Sequence, residues 1–345
     1  MRYYFLNGIL TQQTRDKYLY DTIFAMNDAS SSPGLRFAHL SDPHLTTLEA
    51  VRWHQLLSKR VLGYLSWRRG RRAEHRSEVL DALVEDMRSL HPQHIVVTGD
   101  LTHIGLPDEF RQARHWLERL GERGDVTIVP GNHDAYARHA WSDTFALWEP
   151  WMRSDVADGQ APSSGDRLLF PSLRIRQGVA FIGLSSAVAT APFLATGKLG
   201  AVQIERLKTV LRETGEQGLF RVVLLHHPAV EGAEKWRKRL TDTSALGEVL
   251  AEQGAELVLH GHSHRALQGH IHRPGGDIPV FGIPSASAIG RKPGRAAQYY
   301  LYEVRPEGDQ WRLGIQVRAY QPDRHVFTLA HEHHLSLPRM ASTNC

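Results

Sequence analysis

Residues 126–134 read Val-Thr-Ile-Val-Pro-Gly-Asn-His-Asp, an apolar run that ends abruptly in polar residues. The β-branched run predicts a buried strand, and Gly131 fits a sharp turn directly after it. Four other polar blocks follow apolar runs in the same way. They are Asp42-Pro43-His44, Gly99-Asp100, His226-His227 and Gly261-His262-Ser263-His264. The chain therefore carries carboxylates, an amide and imidazoles at the ends of several predicted strands.

Strand and helix patterns alternate outward from this block. Apolar runs predict strands at 35–40, 94–98, 126–129, 179–184, 220–225 and 256–259. Apolar residues spaced by three and four predict helices over 79–90, before Pro92, and over 110–120, after Pro107. This alternation predicts an α/β fold. Further strand-like runs occur without helices between them at 266–271, 278–282, 298–304 and 311–320. They predict hairpins added to a second sheet, so we expect two packed mixed β-sheets flanked by helices.

Composition restricts the class of protein. Of 345 residues, 41% are hydrophobic and 23% are charged, which is ordinary for a globular protein. The single cysteine is Cys345, which excludes an internal disulfide and predicts a cytoplasmic location. The net charge of +4 favours anionic partners. The longest uncharged run, residues 178–197, contains Pro192 and predicts a strand and a loop instead of a membrane-spanning helix.

The chain divides by composition into three parts. Residues 1–34 end in a Ser-Pro-Gly linker and are predicted to lie outside the core, and Met26 is an alternative start. Residues 35–330 are predicted to form one domain, with an insert at about 48–75. Residues 331–345 are predicted to be a solvated tail that contains His331, His333 and His334.

The five polar blocks suit a metal site. In open α/β sheets, loops at the carboxyl ends of strands bring side chains from several strands to one point. Oxygen ligands from Asp and Asn mixed with imidazole nitrogens suit Zn, Mn, Fe or Co better than Ca. We therefore expect divalent cations at this edge of the sheet.

The order of the blocks resembles the calcineurin-like metallophosphoesterase superfamily, over roughly residues 36–290. The resemblance implies a four-layer sandwich and two divalent metal ions, drawn from Mn, Fe, Zn and Co. It implies that one ion is held by Asp42, His44 and His264, the other by Asn132, His226 and His262, and that Asp100 bridges them.

The implied reaction is hydrolysis of a phosphodiester or pyrophosphate bond by a metal-bound hydroxide. His133 has no ligand duty in this scheme, so it is free to stabilise the transition state or to protonate the leaving oxygen. Asp134 is predicted to orient the His133 imidazole. His103 either contacts the substrate phosphate or caps the next helix.

The insert between the first two blocks bears on the substrate. Trp53, Leu57, Val61, Tyr64 and Leu65 are predicted to share one side of a helix, among arginines and without acids. Such a segment can pack on the domain, touch anionic lipid headgroups or cover an anionic substrate. Arg68 and Arg69 from this insert are predicted to bind substrate. Arg237, from a second basic run at 235–239, either binds substrate too or lies in a solvated loop.

Several activities fit this sequence. One is a UDP-diacylglucosamine pyrophosphohydrolase of lipid A biosynthesis, a peripheral enzyme of the inner membrane that takes an acylated sugar nucleotide. Another is a cyclic-nucleotide phosphodiesterase. Nucleic acid is not favoured, because apolar residues interrupt the basic runs. The non-enzyme alternative is an inactive scaffold of the same fold. The sequence predicts no oligomeric state.

Overall fold

The computed structural model describes residues 4–5, 34–56, 58–155 and 169–339. The predictions that concern Met26, Leu57 and Cys345 lie outside the described residues. Of the predicted N-terminal extension, only residues 4–5 and Gly34 are described. Tyr4 and Phe5 pair with Gln268 and Leu267 at the edge of a sheet, so for these two residues the predicted separation is wrong. For the rest of the extension it stays a prediction.

The described residues form two sheets. In chain order the strands are β1 (Tyr4–Phe5), β2 (Leu35–Leu40), β3 (His94–Val97), β4 (Val126–Ile128), β5 (Ser172–Arg176), β6 (Val179–Gly183), β7 (Phe220–Leu224), β8 (Leu257–His260), β9 (Leu267–Ile271), β10 (Ile278–Gly282), β11 (Gln298–Glu307), β12 (Gln310–Gln321) and β13 (Val326–Pro338). The seven-stranded sheet has the order β1-β9-β10-β8-β7-β6-β5, and the six-stranded sheet has the order β13-β12-β11-β2-β3-β4. Each sheet contains both parallel and antiparallel pairs.

Helices cover the outer faces of the two sheets, except for the first two below, which belong to the insert at about 48–75. They are α1 (Arg60–Ser66), α2 (Arg72–Glu74), α3 (Ser77–Ser89), α4 (Pro107–Leu120), α5 (Glu149–Met152), α6 (Ala201–Glu216) and α7 (Thr243–Gln253). Trp116 of α4 packs with the six-stranded sheet, and Leu207 of α6 packs with the seven-stranded sheet. Between the sheets, the rings of Phe37 and Phe181 meet edge to face with centroids 5.1 Å apart. The predicted sandwich of two mixed sheets between helices is confirmed.

The carboxyl ends of the parallel strands lie at one edge of the molecule. Strands β2, β3 and β4 are parallel, and so are β6, β7, β8 and β10. At this edge the two sheets contact each other, since Nδ1 of His226, after β7, lies 2.6 Å from the carbonyl oxygen of Thr98, after β3. The backbone N–H of His262 also donates to Oδ2 of Asp42 at 3.0 Å. Loops from both sheets therefore meet at a single point.

Two predictions for the C-terminal part were wrong. The hairpins do not join one sheet: β9 and β10 extend the seven-stranded sheet beside β8, whereas β11 to β13 extend the six-stranded sheet beside β2. Residues 331–338, predicted to be part of a solvated tail, belong to β13 and pair with β12. This strand is held because Phe327 and Leu337 are buried in the core.

The predicted helix of the insert is broken into pieces. A 3₁₀ turn at Trp53–Leu56 precedes α1, and a π turn at Trp67–Arg71 joins α1 to α2. Trp67 is buried and packs with Leu48, whereas Trp53 is 77% exposed. The predicted apolar side is therefore not the buried one. Ser58, at a φ of 140°, interrupts the helical path between Trp53 and α1, so the side chains of the predicted face do not share one helix.

Candidate metal centre

The backbone of the predicted ligands is strained. Asp42, His44, Asp100, His262 and His264 all have positive φ, between 39° and 68°. Residues other than glycine are uncommon in this left-handed region, which costs about 1–3 kcal/mol for each residue. Such strain persists where the surrounding structure enforces it, and it clusters at functional sites.

One group of predicted ligands surrounds the end of β2. The ligand atoms of Asp42, His44, Asp100 and His264 all lie within 4.8 Å of one another. Oδ1 of Asp42 lies 3.1 Å from Nε2 of His264. Nε2 of His44 lies 3.9 Å from Oδ2 of Asp100. These four side chains could share one cation.

A second group lies beside the first. Oδ1 of Asn132 lies 2.8 Å from Nδ1 of His262 and 3.2 Å from Nε2 of His226. Nε2 of His226 is also 3.3 Å from Oδ2 of Asp100. The Asp100 carboxylate thus lies between the two groups, which is the position required of a bridging ligand.

Buried ligand atoms of the first group lack hydrogen-bond partners outside the predicted ligands. Nε2 of His44 is buried and has no hydrogen-bond partner, and the buried Oδ1 of Asp42 faces Nε2 of His264, another predicted ligand, at 3.1 Å. Burial lowers the pKa values of His44 and His262 well below the usual range, so both imidazoles are neutral and offer lone pairs. A buried acceptor without a donor is costly, and a bound cation removes that cost. The donor set therefore fits divalent metal.

The Asp100 carboxylate is the main source of negative charge beside His226. Burial acts to lower the pKa of His226, but the neighbouring Asp100 carboxylate and Asp42 raise it to about 9. The buried carboxylate thus attracts positive charge to this side, as a bridging ligand would.

His75 is a residue that the sequence analysis missed. Its ring lies 4.6 Å from that of His44 and 5.7 Å from that of His264, between ring centroids, and the three could hold a metal ion together. Nδ1 of His75 is 2.9 Å from Oγ of Ser287. No strand end precedes His75, so its place in the chain gave no signal.

His133 is oriented differently from the prediction. Its Nδ1 lies 2.5 Å from the carbonyl oxygen of His103, which can only accept, so Nδ1 carries the hydrogen. The Asp134 carboxylate instead accepts the backbone N–H groups of Asp100, Thr102 and Gly131 at 2.8–3.0 Å. Asp134 therefore holds two loops together, and a main-chain carbonyl fixes the imidazole.

Most of the chain matches a known family. Residues 35–266 match the family model described as calcineurin-like phosphoesterase. The chain belongs to the calcineurin-like phosphoesterase family. This match confirms the predicted resemblance and the enzyme class, a metal-dependent phosphoesterase, and the fold carries a His/Asp cluster able to bind metal.

Individual proteins are similar to this chain at 16–29% sequence identity. The chain is 29% identical, over 68% of its length, to 80% of a probable cyclic nucleotide phosphodiesterase from Synechococcus. It is 28% identical, over 54% of its length, to 52% of a cAMP/cGMP dual specificity phosphodiesterase from Mycobacterium tuberculosis. Among solved structures, a dimetal phosphatase from Danio rerio has a TM-score of 0.57 at 16% identity, with 89% of this chain and all of that chain covered. This structural likeness concerns the fold.

The predicted substrate-binding residues lie in different places. Arg69 and Arg237 line a cavity of about 820 Å³ that opens at His133, and we call this cavity the basic cleft. Arg68 does not line it, and its guanidinium lies 6.0 Å from the centroid of the Tyr64 ring. His103 is buried and stacks on the ring of His44, a predicted ligand, with centroids 5.1 Å apart.

The prediction that His103 caps the next helix is not what the structure shows. Helix α4 begins at Pro107, and Glu109 accepts the backbone N–H groups of Leu106, Ile104 and His103 at 2.6–3.1 Å. The carboxylate of Glu109 therefore satisfies the donors at this helix start.

The length and hydropathy of the helices bear on whether the chain could cross a membrane. Among residues 34–56, 58–155 and 169–339, no helix is both long enough and apolar enough to cross a membrane. The predicted cytoplasmic location stays a prediction.

Gly131→Ala is expected to lower the free energy of unfolding by about 1–3 kcal/mol, which denaturant titration measures. A Cβ at this position would overlap Oδ1 of Asp100, so either the loop or the carboxylate must move. We also expect a loss of phosphoesterase activity. Gly247→Ala is the control, because a Cβ there meets no neighbouring element and should stabilise α7 by about 0.5–1 kcal/mol. Wild-type stability and activity of Gly131→Ala would contradict the close approach.

Proposed function

We propose that this protein hydrolyses a phosphodiester or pyrophosphate bond in a phosphate-ester small molecule, with two divalent cations drawn from Mn, Fe, Zn and Co. The observation that carries the proposal is the convergence of all seven predicted ligands at the edge where the two sheets meet. Their separations of 2.8–3.9 Å and the unpartnered Nε2 of His44 support it.

The roles of the ligands follow their two groups. Asp42, His44 and His264 would hold one cation, and Asn132, His226 and His262 would hold the other. Asp100 would serve both, because its carboxylate lies between them. Bound cations supply a nucleophilic oxygen near neutral pH and neutralise the phosphoryl oxygens.

His133 would handle the proton of the leaving group. Since Nδ1–H is bonded to the carbonyl of His103, Nε2 is the nitrogen left to meet the substrate, and it can give a proton to the leaving oxygen only from the imidazolium form. The backbone N–H of His133 donates to Oδ1 of Asp100 at 2.7 Å, which fixes the imidazole relative to the bridging carboxylate. This rigid attachment favours proton transfer at one defined position.

A cyclic-nucleotide phosphodiesterase is the second candidate. It is favoured by the names of the similar proteins from Synechococcus and Mycobacterium tuberculosis. Hydrolysis of cyclic AMP or cyclic GMP to the nucleoside monophosphate is its direct test. Turnover of simple diesters without turnover of either cyclic nucleotide would eliminate it.

The UDP-diacylglucosamine reaction and an inactive scaffold are both less well supported than these two hydrolytic activities. The similar proteins are named for cyclic nucleotides, which gives the UDP-diacylglucosamine reaction and a membrane partner no support. An inactive scaffold would be expected to lack ligands. Here every predicted ligand, from Asp42 to His264, is present and close to the others.

Removal of metal is expected to lower the rate of hydrolysis by more than about 100-fold, because cations stabilise the transition state by several kcal/mol. The chelated protein should be tested with bis(p-nitrophenyl) phosphate after addition of Mn, Fe, Zn or Co in turn. Elemental analysis should show about two ions per chain in the active sample. Full turnover by a sample with no bound metal would contradict the proposal.

A further inference from the structure

The basic cleft carries more positive charge than a simple diester requires. Its cationic lining residues are Lys59, Arg69, Arg71, Lys235, Arg237 and Lys238. Among the described residues that line it, none is Asp or Glu. Two divalent cations held by the carboxylates of Asp42 and Asp100 would already exceed the single negative charge of a diester. The additional charge is concentrated in a concave site, where it attracts anions strongly.

Arg71 is a cation of the basic cleft that contacts His133. It ends the π turn of the insert, and its Nη1 lies 3.2 Å from Nδ1 of His133. This nitrogen already carries a hydrogen that it donates to His103, so it cannot accept a second one from Arg71. The guanidinium therefore lies beside His133 without an acceptor in that contact.

Arg72, the next residue in sequence, differs from Arg71 in having a carboxylate partner. Arg72 is exposed, and its Nη2 pairs with Oε1 of Glu49 at 2.6 Å. No carboxylate among the described residues forms an ion pair with Arg71. The carboxylates of Asp100 and Asp42 act on the charge of Arg71 from beyond ion-pair distance. Its planar donor fork, which matches phosphate oxygens, is not occupied by a carboxylate.

We propose that Arg71 binds a second anionic group of the substrate, a phosphate or pyrophosphate group next to the scissile ester. Arg69 and Lys238 line the same cleft and add positive charge around that group. The inference rests on the function proposed above and narrows its substrate class to phosphate esters with more than one anionic group. The cavity of about 820 Å³ is large enough for a ligand of nucleotide size.

The test compares ADP with AMP, which differ by one phosphate, as ligands of the metal-loaded full-length protein in calorimetry. ADP should bind at least about tenfold tighter than AMP, since charge-assisted contacts to phosphate are strong. Arg71→Ala should reduce this ratio to below about threefold, and Arg71→Lys should retain part of it. The matched control, Arg72→Ala, should keep the wild-type ratio, because Arg72 pairs outside the cleft.

Hydrolysis of bis(p-nitrophenyl) phosphate, which has one negative charge, separates this inference from the proposed function. If the diester is hydrolysed but ADP binds no tighter than AMP, the second anion site is refuted and the hydrolytic function stands. If ADP is preferred through Arg71 but no ester is hydrolysed, the site stands and the hydrolytic function fails. If Arg71→Ala weakens ADP, AMP and diester turnover equally, Arg71 only positions His133 and the inference is overturned.

Discussion

Asp100→Asn is expected to lower turnover by more than about 1000-fold and to reduce bound metal from about two ions per chain to one or fewer. Oδ2 of Asp100 lies 3.3 Å from Nε2 of His226 and 3.9 Å from Nε2 of His44, in different ligand groups. A neutral amide offers one oxygen and no charge, so it cannot offset the repulsion between two cations. Steady-state kinetics and elemental analysis of the same sample measure the two effects.

The control for this substitution is Asp323→Asn, which removes an exposed carboxylate in the turn between β12 and β13. It should retain wild-type turnover and metal content. The fold of Asp100→Asn must also be checked, because Oδ1 accepts the backbone N–H of His133. An asparagine variant with two bound ions and normal turnover would refute the bridging role.

The part of the site that could be predicted from sequence is the part fixed by local chain geometry. Parallel strands of one sheet end at one edge, so polar residues directly after β2, β3 and β4 lie together, and so do those after β7 and β8 in the other sheet. The strand patterns predicted this edge because buried parallel strands are continuous apolar runs. For this reason the seven predicted ligands lie together in the structure.

Residues whose position depends on tertiary packing were less predictable. His75 and Arg71 reach the site because the insert changes from α to π geometry at Trp67–Arg71. A regular helical repeat predicts a different buried side, as the 77% exposure of Trp53 shows. Asp134 follows His133 in sequence, yet its carboxylate binds the backbone of Thr102. Proximity in sequence does not determine which donors a buried carboxylate finds.

His133→Ala is expected to keep the metal content and to lower turnover of an alkyl phosphodiester by about 10²–10⁴-fold, the usual contribution of a positioned proton donor. Turnover of bis(p-nitrophenyl) phosphate should fall much less, by under about tenfold, because p-nitrophenolate leaves without a proton. Paired kinetics on the two diesters measure this difference. His115→Ala, on the exposed side of α4, is the control and should change neither rate.

The leaving-group comparison separates proton transfer from the other role open to His133, charge stabilisation of the phosphoryl group. A residue that stabilises the phosphoryl oxygens would affect both diesters equally, because both have the same charged centre. A residue that protonates the leaving oxygen affects only the ester with a poor leaving group. Equal losses for the two diesters would therefore assign His133 to the phosphoryl oxygens. In that case the contact between Nδ1 and the His103 carbonyl would serve to aim Nε2 at phosphate and not at the leaving group.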